Sequence, residues 1–198
     1  MAKYNRCGQA EIFTSADYAK LFKVVKNPNH KLMLTVLKYT GERIGAVCQL
    51  RLVDVYSDVE RQLPAPYVFF RAETRKRSPS GEQESLTVPM HPNLAALLSV
   101  IQPKDRVWLF PSKHRPGKPV SPKSADKWYR LALERAGLKP KGYSLHSTRR
   151  TFITMLSRSG VPLPVIRKIT GHKSLETLKR YVEVDPEECR HAIESLPF

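Results

Sequence analysis

Cysteine and acidic residues are scarce in this chain, and each shortage narrows what it can be. Three cysteines, Cys7, Cys48 and Cys189, are spread over 198 residues. They are odd in number and form no Cys-x-x-Cys, so neither a disulfide framework nor a zinc site is expected. Cys189 and His191, two residues apart, are too few ligands for a metal. Long apolar runs are missing too. Stretches such as Leu94–Ile101 fall far short of the roughly 20 residues that span a bilayer. The start, Met1-Ala2-Lys3-Tyr4-Asn5-Arg6, leads into no apolar signal core. The expectation is a cytosolic protein in a reducing compartment, with no membrane partner. Glycine-rich phosphate loops and carboxylate clusters are absent as well.

Asp and Glu total 18 against 34 Lys and Arg, a formal charge of +16. The excess is uneven. From Lys104 to Lys173 there are 17 basic and 3 acidic residues, a local excess of 14. So large a field over a third of the chain points to a polyanion, nucleic acid above all. No basic amphipathic anchor suggests an anionic membrane instead. Apolar residues make up 41% and charged residues 26%, the balance of a folded domain with a sizeable core.

The patterning predicts a mainly α protein with a three-stranded antiparallel sheet near its N-terminal third. Ser15-Ala16-Asp17 caps a helix through Tyr18, Leu21, Phe22 and Val25, and Asn27-Pro28-Asn29 breaks it. A second helix runs through Leu32–Leu37 to Thr40-Gly41, and Arg43–Leu50 reads as a short third. Strands are expected at Leu52–Tyr56, Tyr67–Phe70 and Ser85–Val88, with Ser78-Pro79-Ser80-Gly81 turning a long polar hairpin between the last two. Helices follow at Asn93–Ile101, Ser124–Ala136, Leu145–Ser159, Leu163–Ile169, Ser174–Tyr181 and Pro186–Leu196. Trp108-Leu109-Phe110-Pro111 reads as an apolar plug docking a loop on the core.

Four local features could carry chemistry. His146-Ser147-Thr148-Arg149 puts an imidazole and a guanidinium three apart at a helix start, where free N–H groups favour an anion. Gly171-His172 precedes Tyr181 by nine residues. Arg43 follows a helix-ending Gly41. Arg75-Lys76-Arg77 crowds three cations onto the hairpin. Each alone is ordinary: a basic helix start, a core tyrosine, a surface arginine, a solvated loop.

Their order is specific. It resembles the catalytic domain of the tyrosine recombinases, the phage integrase family. The first box is similar to Thr40-Gly41-Glu42-Arg43-Ile44 with Leu50–Val55, and the hairpin end to Leu86–Met90. The second box is similar to Leu145-His146-Ser147-Thr148-Arg149-Arg150-Thr151-Phe152, and the last to Ile169–Ser174 through Thr177 to Tyr181. The resemblance covers roughly residues 12 to 195. It divides the chain into an extension, 1–11, and a catalytic domain, 12–198, with no N-terminal DNA-clamping domain in the sequence. Two positions depart from the pattern. An acidic residue usually stands three after the first arginine, where this chain has Ala46, and Arg150 replaces a common histidine.

The resemblance implies site-specific recombination of double-stranded DNA, in a bacterial cytosol and often on mobile elements, without cofactor. Tyr181 would be the nucleophile, giving a 3′-phosphotyrosyl intermediate. Arg43 and Arg149 would hold the scissile phosphate, His146 would contact it and assist Tyr181 as base, and His172 would donate to a non-bridging oxygen. Lys76 would protonate the leaving 5′ oxygen, since an arginine rarely gives up its proton. The resemblance also implies a monomer in solution that forms a tetramer on DNA. An apolar edge at Ala192, Ile193, Leu196 and Phe198 would pass to a neighbour or pack in cis. A type IB topoisomerase shares this chemistry, and a regulator with a silent site would bind DNA without cutting it.

Overall fold

The computed structural model describes residues 10–77, 81–179, 181, 190 and 193–196. It opens with helix α1, Ser15–Val24, capped one residue earlier than expected. The Thr14 hydroxyl accepts the Asp17 N–H at 3.1 Å. Asn27 caps α2, Pro28–Thr40, through its side-chain oxygen, and Pro28 at the first turn gives up no needed N–H. α2 ends at Gly41, whose φ of 61° is left-handed. Leu32, Met33, Leu34, Val36 and Leu37 are all buried, so this helix runs through the middle of the protein. Short α3, Ile44–Cys48, follows at once.

The β region differs from the expected three-stranded sheet. It is two separate two-stranded antiparallel ladders, β1 (Tyr56–Asp58) with β2 (Leu63–Pro64), and β3 (Tyr67–Phe70) with β4 (Leu86–Pro89). The predicted strand at Leu52 is instead a 3-10 turn, Leu52–Asp54. The Asp54 carboxylate closes that turn by accepting the Arg51 N–H at 2.8 Å, and pairs with Arg71 beyond β3. An apolar run with an acid in it was thus folded back on itself rather than extended. β3 and β4 bury Val68, Phe70, Leu86 and Val88 on one face, the alternation of a half-buried hairpin. The predicted turn at Ser78, Pro79 and Ser80 lies outside the described residues.

The remaining elements are helical: α4 (Pro92–Leu98), α5 (Pro122–Arg135), α6 (Leu145–Arg158), α7 (Leu163–Thr170) and α8 (Leu175–Lys179). The Trp108–Pro111 segment docks as expected. Leu109 donates to the Leu50 carbonyl at 3.0 Å, and Leu109 and Phe110 are buried. The main core lies between α2, α3, α4 and the β3–β4 hairpin. A second joins α1 to α5, and a third, with Ile153, Ile166 and Leu178, joins α6, α7 and α8. No helix among the described residues is long and apolar enough to cross a membrane. Most of the expected helix Pro186–Leu196, with Cys189, His191, Ala192 and Phe198, lies outside the described residues, as does Cys7. Ile193 and Leu196 are described and exposed.

Candidate active site

The site forms where α2 and α7 end and α6 begins. Both ending helices stop on a left-handed glycine, Gly41 (φ 61°) and Gly171 (φ 64°). Arg149, on the first turns of α6, lies between them. Its Nη1 donates to the Gly41 carbonyl and its Nη2 to the Thr170 carbonyl, each at 3.0 Å. Two helix C-termini, each carrying partial negative charge, thus hold one buried guanidinium. Burial pulls Arg149 down to about 10 against the opposing pull of Glu42, so it stays charged at neutral pH. A side chain at either position would be strained by the positive φ and would meet a neighbour. A Cβ on Gly41 would collide with the Phe152 ring, and one on Gly171 with the Arg75 guanidinium.

Glu42, wholly buried, organises the cations. Its Oε1 accepts the Arg43 N–H at 3.0 Å and lies 4.0 Å from the Arg43 guanidinium. Its Oε2 accepts from Arg75 Nη2 at 3.3 Å and lies 3.6 Å from Arg149 Nη1. Three guanidinium groups around one carboxylate leave a net +2, suited to an anionic ligand. A carboxylate in this place was not expected, since the family's usual acidic position is Ala46. A signal did exist: Glu42 is the sole acidic residue between Asp17 and Asp54, inside an otherwise apolar and basic stretch.

His172 follows Gly171 and is half-buried. Arg149 Nη2 lies 3.2 Å from its Nε2, and its Nδ1 is 2.6 Å from the Thr170 hydroxyl. Burial, then Arg149, Arg43 and Arg75 in turn, hold its pKa down at about 3, so it is neutral at physiological pH. The Tyr181 ring meets the His172 ring at 5.7 Å between centroids, tilted by 53°. The Tyr181 backbone is fixed on both sides. Its N–H donates to the Leu178 carbonyl at 2.9 Å, and its own carbonyl accepts the Thr154 hydroxyl of α6 at 3.0 Å.

Arg43, Arg149, His172 and Tyr181 therefore converge. His146, three residues before Arg149 on α6, is exposed. On the hairpin, Arg75 rather than Lys76 enters the cluster. Arg75 is buried, donating to the Glu84 carbonyl at 2.9 Å as well as to Glu42, while Lys76 is exposed. Lys173 pairs with Glu82 and Glu84, so the hairpin base is fastened to the loop that carries His172. Arg150 reaches away to the Ala10 carbonyl at 2.8 Å and fastens the N-terminal segment to α6.

A phenol lies against an imidazole beside a cluster of guanidinium groups with surplus positive charge, an arrangement suited to an anion. The chain belongs to the phage integrase family, whose model matches residues 11–188. It is 29% identical over 170 residues to a tyrosine recombinase of Thermosipho africanus (strain TCF52B), a match spanning 84% of this chain and 53% of that protein. It is 30% identical over 178 residues to the prophage integrase IntF of Escherichia coli (strain K12), spanning 87% of this chain and 34% of that one. The chain thus spans about half or less of the length of these curated relatives. In fold it is similar to the crystal structure of XerA recombinase, with TM-score 0.71 and 21% identity over 97% of this chain and 68% of that one. It is also similar to the catalytic domain of bacteriophage HP1 integrase, with TM-score 0.65 and 22% identity over 96% and 97% of the two chains.

Proposed function

We propose that this chain cuts and rejoins duplex DNA as a site-specific recombinase, through a 3′-phosphotyrosyl intermediate on Tyr181. The observation that carries the reading is the Tyr181 ring set against His172, itself hydrogen-bonded to the buried Arg149. The scissile phosphate settles over Arg43 and Arg149, whose charges offset what builds up on its non-bridging oxygens. The Tyr181 oxygen attacks phosphorus, and the P–O5′ bond breaks. His146, at the exposed start of α6, takes the phenolic proton. Lys76, next to the anchored Arg75, protonates the departing 5′ oxygen. His172 bonds another non-bridging oxygen. A second 5′-hydroxyl then attacks the phosphotyrosine, reversing each proton transfer and releasing Tyr181. Four such chains would act together on paired DNA sites.

The test uses the wild-type chain and Tyr181→Phe on a nicked half-site duplex, from which the short cleaved strand diffuses away. The wild type should accumulate a covalent protein–DNA species. The Phe variant, which keeps the ring and its packing, should bind the duplex and form none. An adduct on the Phe variant, or none on wild type bound to its specific site, overturns the assignment. Strand exchange between two sites separates recombination from relaxation alone.

A further inference from the structure

Two hydrogen-bond inventories meet on His172. The first concerns Nδ1. The Thr170 hydroxyl has a single proton, and it has an acceptor in the Ile166 carbonyl at 2.7 Å, one turn back along α7. The same oxygen is 2.6 Å from His172 Nδ1. With its proton given to Ile166, the hydroxyl can only accept from the imidazole, so Nδ1 carries a hydrogen. The second concerns Nε2. Arg149 Nη2 lies 3.2 Å from Nε2 and 3.5 Å from Nδ1, so the guanidinium sits against the ring rather than along either lone pair, and its charge opposes a second ring proton. With hydrogen on Nδ1, a neutral imidazole leaves Nε2 bare. The Thr170 contact and the neutral ring together give the Nδ1–H tautomer. Thr170 is fully buried, so water offers its hydroxyl no other partner.

This tautomer presents a lone pair, not an N–H, to the place a phosphate would occupy. A phosphate oxygen brought there meets Arg149 favourably and Nε2 unfavourably. We propose that Thr170 fixes His172 as the Nδ1–H tautomer, so that His172 must take up a proton at Nε2 before it can donate to a bound phosphate. Thr170 is thus a positioning residue acting through His172. The proposal rests on the reading of His172 as a phosphate contact, and extends it. When a phosphate binds, Nε2 takes up a proton from solvent, and the imidazolium then donates to the phosphate oxygen. The groups around the ring set the charge balance. Arg149 of α6, Arg43 before α3 and Arg75 of the hairpin oppose the proton, and the phosphate's negative charge favours it. The Tyr181 ring also faces the imidazole, and Glu42 pairs with Arg75 and Arg149.

Long-range proton–nitrogen spectra of the 15N-labelled full-length chain report tautomers directly, with His172→Gln assigning the signal. The wild type should show His172 with hydrogen on Nδ1 and a bare Nε2. Thr170→Ser should keep that pattern, and Thr170→Val should lose it, with thermal melts confirming that both variants fold. An Nε2–H signature in the wild type, or an unchanged Nδ1–H signature in a folded Thr170→Val, overturns the role of Thr170. Calorimetric titration of Tyr181→Phe with half-site duplex, in two buffers of different ionisation enthalpy, should give uptake of about one proton that disappears when His172→Gln is added. Binding without that uptake overturns the second half of the proposal. A wild type with the expected tautomer that forms no covalent adduct leaves Thr170 in place and removes the recombinase reading instead.

Discussion

Replacing Glu42 with Gln keeps the shape of the side chain and removes its charge. Arg149 is 3% exposed and Arg75 9%, so water cannot substitute for the lost carboxylate. Breaking a buried ion pair from one side costs about 3–5 kcal/mol, because the other charge is left uncompensated. In a protein of this size each kcal/mol lowers the melting temperature by about 2–4 °C. Glu42→Gln should therefore melt roughly 6–20 °C below wild type at pH 7.5, followed by circular dichroism. The loss should also be specific in kind. A sulfate ion or a duplex phosphate brings negative charge to the same guanidinium groups and binds the native state, so either ligand should narrow the gap. Leu34→Ala supplies the control. It opens a cavity at a fully buried position and costs about 2–5 kcal/mol, but no anion can refill it. Its deficit should stay constant as sulfate is added. Glu42→Asp, which keeps the charge on a shorter stem, should lie between wild type and Gln. A Glu42→Gln protein melting within about 2 °C of wild type, or one whose deficit ignores sulfate and DNA as Leu34→Ala does, would refute the reasoning.

His172 remains neutral down to about 3, against an ordinary 6.5. The unfolded chain binds that proton from about pH 6.5 downward and the folded chain only near 3, so stability is full above 6.5 and falls as pH drops through that window. His172→Gln should flatten this part of the acid-unfolding curve, and an equally steep curve would show that another group is responsible. Gly171→Ala combines left-handed strain, about 1–2 kcal/mol, with a collision against Arg75. It should cut half-site cleavage more than Gly137→Ala, which has similar strain at φ 69° and open space around it. Cys48 is buried and its thiol is pushed up to about 12. Peptide mapping after iodoacetamide should find it unmodified until the protein unfolds. Duplex affinity should fall steeply with salt, with log K linear in log salt concentration, and a flat response would remove nucleic acid as the partner.

Much of the site was legible because its parts are local words. Gly41 and Arg43, His146 and Arg149, and Gly171, His172 and Tyr181 are each read within a few residues, and their order pointed to the family. What could not be read was pairing across the chain. Glu42 stood in view beside Arg43, yet its partners Arg75 and Arg149 come from the hairpin and α6. On the hairpin, three adjacent cations offered no periodicity to say which faces inward, and chemistry favoured Lys76 as acid while packing brings in Arg75. The helices that fall among the described residues were found within a few residues, since capping and apolar spacing are short-range. The strand expected at Leu52 was lost to Asp54, whose bonds to Arg51 and Arg71 close a turn that propensity alone does not reveal.

Arg149 bridges the Gly41 and Thr170 carbonyls, so the site exists only while the ends of α2 and α7 are both docked on α6. Glu42 adds the hairpin as a fourth requirement. This is a logical AND written in hydrogen bonds, and for the proposed recombinase it would be a safety catch. Loosening of any one segment should scatter the cations and, on the proposed reading, remove cleavage. The basic surface, distributed over many residues, would still adhere to DNA. Under rising urea, cleavage should therefore vanish at a lower concentration than duplex binding, so that a damaged molecule fails as a harmless binder rather than as an unregulated nuclease.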